Sequence, residues 1–439
     1  MVDDDDDELP PPPEKGSQRG NIVTLRAVLA HGSPPIAEGL SWRVLKLGAG
    51  TTDRELVWSG GGGEPQMRLK PGRYYIEASW GLAKGGQEVE IAANQSTEPT
   101  ISLNAGTLLV DGVAVKGGPH LDEMFFVLRR AGAASGDASA EIGRSSLSEA
   151  VFHVPAGDYV LSAKRGFATV EVPVTVTAGQ ESRAEAILNS GTLALTARAK
   201  DGSPVLSGAT FLVFENGEVG RRQEISRSYL DEPKFSLPAG RYRVAAVLGM
   251  ARVEEEVAVR AAETTTKDLI LNAGGVRLAS VMAGNNKPLD QNLLYRVYSL
   301  NGPDGAASQE VLTSTQPSPT IFLPAGRYRI ESQYGWHNAR QAREIDVAAG
   351  DVLDVAFEHK ASEVKLRLVP GPGGTAMEKV KWTLKYNGGG TVLISQDATP
   401  SLILQAGHYQ AMAQHDAKTY TQTFEAASNQ EQIIELIAQ

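Results

Sequence analysis

Pro155-Ala156-Gly157-Asp158-Tyr159 decides the fold, because the phrase returns along the chain. Lys70-Pro71-Gly72-Arg73-Tyr74 precedes it, and Pro238-Ala239-Gly240-Arg241-Tyr242, Pro324-Ala325-Gly326-Arg327-Tyr328 and Gln405-Ala406-Gly407-His408-Tyr409 follow. The tyrosines stand 85, 83, 86 and 81 residues apart. A second mark keeps the same step: Leu103-Asn104-Ala105-Gly106, Leu188-Asn189-Ser190-Gly191 and Leu271-Asn272-Ala273-Gly274. Two independent marks on one period identify a tandem repeat, and that recognition precedes any local reading.

Upstream of each tyrosine, an aromatic opens a short alternating run: Trp42-Arg43-Val44, Phe126-Val127-Leu128, Phe211-Leu212-Val213, Tyr295-Arg296-Val297 and Trp382-Thr383-Leu384. The pattern predicts a strand with its aromatic facing inward. Downstream, Tyr242, Val244 and Ala246 alternate with Arg241 and Arg243, the mark of a strand with one buried and one wet face. Further alternating strands and polar turns follow, as in Val174-Thr175-Val176-Thr177-Ala178-Gly179 and Ile345-Asp346-Val347-Ala348-Ala349-Gly350. Helical periodicity is sustained nowhere. The expected fold is all-β, a tandem array of five antiparallel β-sandwich modules of the immunoglobulin-like or transthyretin-like kind. The modules are expected at 20–104, 105–189, 190–272, 273–360 and 361–439, behind a disordered acidic, Pro-rich leader at 1–19. Linkers between modules are nearly absent, which predicts an elongated array with restricted tumbling.

Composition agrees with this reading. A chain of 439 residues exceeds what one core fills, and 46 Gly with 23 Pro suit many turns. The formal charge of −10 overstates acidity, since Asp3 to Asp7 and Glu8 carry much of it and leave the folded part nearly neutral. No basic face exists for neutralising phosphates, so no nucleic-acid partner is expected. The absence of cysteine excludes disulfides, thiolate nucleophiles and cysteine-ligated zinc. No apolar run reaches the length of a membrane-spanning helix.

The Gly-x-Tyr phrase, the Val-x-Ala-Gly turn and the last strand resemble bacterial repeat modules of the carboxypeptidase regulatory-like, PEGA-like and Cna-B-like sandwiches. The whole chain is similar to multi-repeat envelope proteins of Gram-negative bacteria with Pro-rich leaders. That resemblance implies a periplasmic or cell-surface location. Cna-B-like modules often crosslink a first-strand Lys to a last-strand Asn. Here no Lys recurs in the first strands, so Asn104, Asn189 and Asn272 read as turn formers that tolerate left-handed backbone.

The search for chemistry returns little. The seven His are scattered without helical metal spacing, His408 with His415 and Asp416 is the one local cluster, and no Gly-x-Ser-x-Gly elbow occurs. Gly60 to Gly63, Asn301 to Gly305 and Asn387 to Gly390 read as flexible hairpin tips. No cofactor, metal or catalytic residue is expected. Tyr74, Tyr159, Tyr242, Tyr328 and Tyr409 are expected to form tyrosine corners, each hydroxyl reaching back to a nearby backbone group. Candidate partner-binding residues are Trp80, Tyr334 and Trp336, aromatics beside the hairpin after the tyrosine strand, where other repeats carry Arg165-Gly166 and Leu248-Gly249. Such residues stack on a sugar or anchor a protein partner, or else cap the neighbouring module. The expected function is a non-enzymatic structural and interaction protein of the bacterial envelope, an elongated spacer with a protein partner. The alternative is a carbohydrate-binding protein or accessory module of a larger envelope enzyme.

Overall fold

A computed structural model describes residues 21–48, 54–132, 140–215, 223–300, 309–387 and 389–438. The expected leader at 1–19 and the turn at Asn301 to Gly305 lie outside the described residues.

The second module shows the plan. Its seven strands are Ala105–Val113, Phe125–Arg130, Glu141–Ser145, Glu149–Pro155, Gly157–Arg165, Ala168–Val176 and Glu181–Ile187. The fourth, first and seventh form one sheet in that order, and the third, second, fifth and sixth form the other. Alternation decides which residues are inside. Along Gly157–Arg165, Tyr159, Leu161 and Ala163 are buried, and they meet Phe126, Leu128, Leu108, Val110, Phe152 and Val154 in one core. The same two sheet orders recur in the third, fourth and fifth modules. In the first module the opening strand is broken into Asn21–Thr24, which pairs with Gln66–Leu69, and Arg26–Val28, which pairs with Thr100–Ser102.

The inward aromatics are in place: Trp42, Phe126, Phe211, Tyr295 and Trp382 are all essentially inaccessible to solvent. The first, second, fourth and fifth modules each combine antiparallel pairings with one parallel pairing. The seventh strand runs parallel to the first, with Glu181 opposite Thr107 in the second module and corresponding parallel registers in the first, fourth and fifth. Each module also has a register shift between its second and third strands, at Val44/Leu45, Leu128/Arg129, Val213/Phe214, Val297/Tyr298 and Leu384/Lys385. Such bulges sharpen the local twist of an edge strand and discourage further edge pairing.

Gly60 and Gly61 depart from the hairpin-tip reading. They lie in the strand Arg54–Gly61 opposite Trp42 and Ser41, and the Gly62 carbonyl accepts the indole N–H of Trp42 at 2.8 Å. Glycine is needed because a Cβ on Gly60 would come within 2.6 Å of the Trp58 ring, and one on Gly63 within 2.3 Å of the Ala37 carbonyl.

The chain divides into two compact units. One holds Met1–Leu193, Phe235–Gly240 and Val259–Thr265, and the other holds the remainder, so the third module contributes strands to both. Consecutive modules are joined by two residues or fewer outside strands, such as Leu188 and Asn189 between Glu181–Ile187 and Ser190–Arg198. Asn104, Asn189 and Asn272 have φ of 45°, 46° and 47°, the left-handed region that Asn tolerates. Their carbonyls accept the N–H of Ala156, Ala239 and Ala325, each at 2.8 Å, which ties these three boundaries to the Pro-Ala-Gly turn of the module each opens, and the Lys360 carbonyl accepts the Ala406 N–H at 2.8 Å in the same way at the fourth.

Candidate functional site

The corner tyrosines sit at the start of the fifth strand with their rings in the core. Tyr74, Tyr159, Tyr328 and Tyr409 donate their hydroxyls to the carbonyls of Lys70, Pro155, Pro324 and Gln405, at 2.9, 2.6, 2.9 and 2.7 Å. Tyr242 occupies the same place and is also buried. Burial raises the phenol pKa of all five, and that of Tyr409 is pushed up to about 12. A neutral donor is therefore what the corner holds at any ordinary pH.

The hairpin between the fifth and sixth strands is where one module meets the next. In the first three modules it is two residues long: Gly81-Leu82, Gly166-Phe167 and Gly249-Met250. The N–H after each glycine donates to a carbonyl in the fourth strand of the following module: Leu82 to His153 at 2.8 Å, Phe167 to Ser236 at 2.9 Å and Met250 to Phe322 at 2.9 Å. Those three acceptors stand six residues before their corner tyrosines. The glycines have φ of 59°, 57° and 58°, and a Cβ on any of them would lie under 3.0 Å from the acceptor residue. Both backbone and space exclude a side chain there.

Trp80 is committed to the first of these junctions. Its ring stacks on His153 with centroids 3.4 Å apart and planes at 17°. Thr107 Oγ1 holds His153 Nδ1 at 3.2 Å, and burial lowers the imidazole pKa. Tyr334 is buried at 7% exposure in the fourth-module core, its ring 6.0 Å from His359 and its hydroxyl donating to Glu363 of the fifth module at 3.4 Å. Trp336 is 65% exposed. The structure thus brings Trp80 and Tyr334 into contact with neighbouring modules and leaves Trp336 open.

The fourth hairpin is longer than the others, with Gly335, Trp336, His337 and Asn338 between its strands. A Cβ on Gly335 would lie 2.6 Å from Ile403 of the fifth module, so the close approach is kept. Asn338 carries the polar part of this junction. Its Nδ2 donates to the Tyr409 hydroxyl at 2.8 Å, and its Oδ1 accepts the Gln405 N–H at 3.1 Å. Sequence reading missed Asn338, although the two extra residues before Ala339 were visible against Ala83, Ala168 and Ala251. It also missed Tyr229 and Leu230, the turn after the third strand of the third module, which are 71% and 69% exposed.

Among the described residues no cluster of His, Asp and Glu is arranged to hold a metal, and no helix is long and apolar enough to cross a membrane. His408 is exposed, and His415 contacts Asp416 at 3.2 Å.

Residues 363–438 match the Rhizobiales growth-associated tandem repeat domain, a span that falls on the fifth module. No curated protein sequence matches the chain. Among solved structures, the Bacillus anthracis TIE protein is similar over 83% of this chain and 71% of its own, at 15% identity and a TM-score of 0.20. A Streptococcal ancillary pilin is similar over 57% of this chain and 98% of its own, at 14% identity and a TM-score of 0.24. The shaft pilin of Lactobacillus rhamnosus GG is similar over 39% and 97%, at 10% identity and a TM-score of 0.24. Likeness at this level carries no function with it.

Proposed function

We propose that the chain is a non-enzymatic structural and interaction protein of the bacterial cell envelope, at the periplasm or cell surface. It acts as an elongated spacer of docked modules and binds a protein partner. One observation carries this reading: the hairpin tips that sandwich folds usually offer to partners are spent on joining modules, by the same glycine and the same backbone bond at three junctions. A chain that commits its tips to itself is built to hold distance. The match of the fifth module to a growth-associated tandem repeat supports an envelope setting.

Partner contact is assigned to the longer fourth tip. Trp80 and Tyr334, proposed from sequence on the same grounds, are engaged within the chain, whereas Trp336 presents a large ring with little side-chain entropy to lose. The test is Trp336→Ala in the full-length chain. Hydrogen-exchange protection of the strands should stay as in the parent, and the partner captured by the parent from an envelope extract should be lost. Retained capture would remove Trp336 from the contact. Spacing is tested separately by small-angle scattering. Five modules of about 30 to 40 Å each predict a maximum dimension of about 150 to 200 Å, and a value below about 90 Å contradicts a spacer.

A further inference from the structure

The fourth module has a polar core where its sisters are apolar. Every module sets an inward aromatic of the second strand opposite the residue four after the corner tyrosine. The pairs are Trp42 with Ala78, Phe126 with Ala163, Phe211 with Ala246 and Trp382 with Ala413. In the fourth module the pair is Tyr295 with Ser332. The residue that ends the seventh strand's run is Leu103, Leu188, Leu271 and Ala438 elsewhere, and His359 here. On the first strand, the residue paired with the position two before it, Ala27, Gly112 or Leu368 in the first, second and fifth modules, is Ser280, opposite Phe357.

These four replacements meet one another. Tyr295 Oη lies 2.8 Å from Ser280 Oγ and 3.1 Å from the Pro317 carbonyl, Ser280 Oγ is 2.9 Å from Ser332 Oγ, and Ser332 Oγ is 2.8 Å from His359 Nε2. All four residues are at most 2% exposed. A buried polar chain of this kind is tolerable only when every member is bonded. Changing one position alone would have left an unpaired group, so the set functions as a unit.

We propose that this chain makes the fourth module acid-sensitive, with protonation of His359 opening the core at the boundary where Lys360 and Ala361 lead into the fifth module. The hydroxyls can reverse their donors to suit either neutral tautomer, but among the described residues no carboxylate is placed against the ring to compensate a positive charge. Ser332 and the phenol Tyr334 of the fifth strand are on the ring, Met282 is its partner on the first strand, and Ser280 and the phenol Tyr295 lie one and two hydrogen bonds beyond Ser332. Glu363 of the fifth module reaches only the far hydroxyl of Tyr334, and Asp290 likewise acts on that phenol. Glu358 and Lys360, adjacent in sequence, are exposed.

Burial lowers the imidazole from its ordinary 6.5 to about 4. A base with a depressed folded value stabilises the native state fully above pH 6.5. That stability drains away as pH falls from 6.5 to about 4 and changes no further below it. The opening equilibrium of the fourth module should therefore rise roughly 70-fold between pH 7.5 and pH 4.5.

Hydrogen exchange on the full chain, corrected for the intrinsic pH dependence of exchange, reads this directly. Peptides from Leu293–Ser299 and Gly326–Tyr334 should gain exchange by about that factor. Peptides from Thr210–Glu215 and Gly240–Leu248 in the third module, which has no histidine, serve as the internal reference. His359→Gln, which keeps a neutral hydrogen-bonding side chain, and the paired change His359→Leu with Ser332→Ala should both abolish the difference. Equal behaviour of the two modules in the parent chain overturns the proposal, and so does a rise of the same size in either variant.

Discussion

Tyr159 reaches back four residues to the Pro155 carbonyl, and that one bond fixes the turn that also receives the module boundary through Ala156. Replacing Tyr159 by Phe keeps the ring in the core and removes the donor. A cost of about 0.5 to 1.5 kcal/mol is expected, read as faster exchange of the Gly157–Arg165 amides in the full chain. An unchanged rate would mean that water replaces the bond at no cost. Asn189 makes a different demand, since its φ of 46° costs most side chains more than it costs Asn. Asn189→Ala should cost about 1 kcal/mol in a thermal or denaturant melt that follows the adjoining strands. These residues were legible because each repeats at fixed spacing, and a fivefold tyrosine or threefold asparagine is hard to read as chance. The roles of His359 and Asn338 were not legible. Both interact with atoms distant in sequence, and each occurs in one repeat only.

At the scale of elements, alternation in Gly240–Leu248 or Glu181–Ile187 shows which face is buried but is silent about the neighbouring strand. That is why the parallel seventh strand and the bulge after the second were invisible in the sequence. The hairpin tips show the same limit. Gly81, Gly166 and Gly249 read as ordinary turn glycines, because the atoms that exclude a side chain belong to the following module. Gly249 and Gly202 separate the two demands, for both have positive φ, 58° and 69°, but only Gly249 has a neighbour within 4 Å of a hypothetical Cβ. Gly202→Ala should cost only the backbone strain, about 1 kcal/mol, whereas Gly249→Ala should add the loss of the Met250 bond to Phe322, roughly another 1 to 2 kcal/mol. Equal losses of stability in the two variants, measured by urea unfolding, would mean that the junction contributes nothing.

Across the whole chain, the repeat settled the fold class before any single strand was placed, because local alternation, turn chemistry and period all agreed. What the period could not reveal is how successive modules are held. One glycine and one backbone bond recur at the first three junctions, and the longer fourth tip replaces that bond with the contacts of Asn338. The fifth tip breaks the series, with Asp416 at φ 46° where the other modules have glycine. Amide exchange of the tip residues tests this serial docking most directly, since hairpin tips normally exchange early. In the full chain, the amides of Leu82, Phe167 and Met250 should be protected at least about tenfold more than that of Ala417, the corresponding residue of the fifth tip. Exchange of all four at the same fast rate would contradict the account and leave the modules merely strung together.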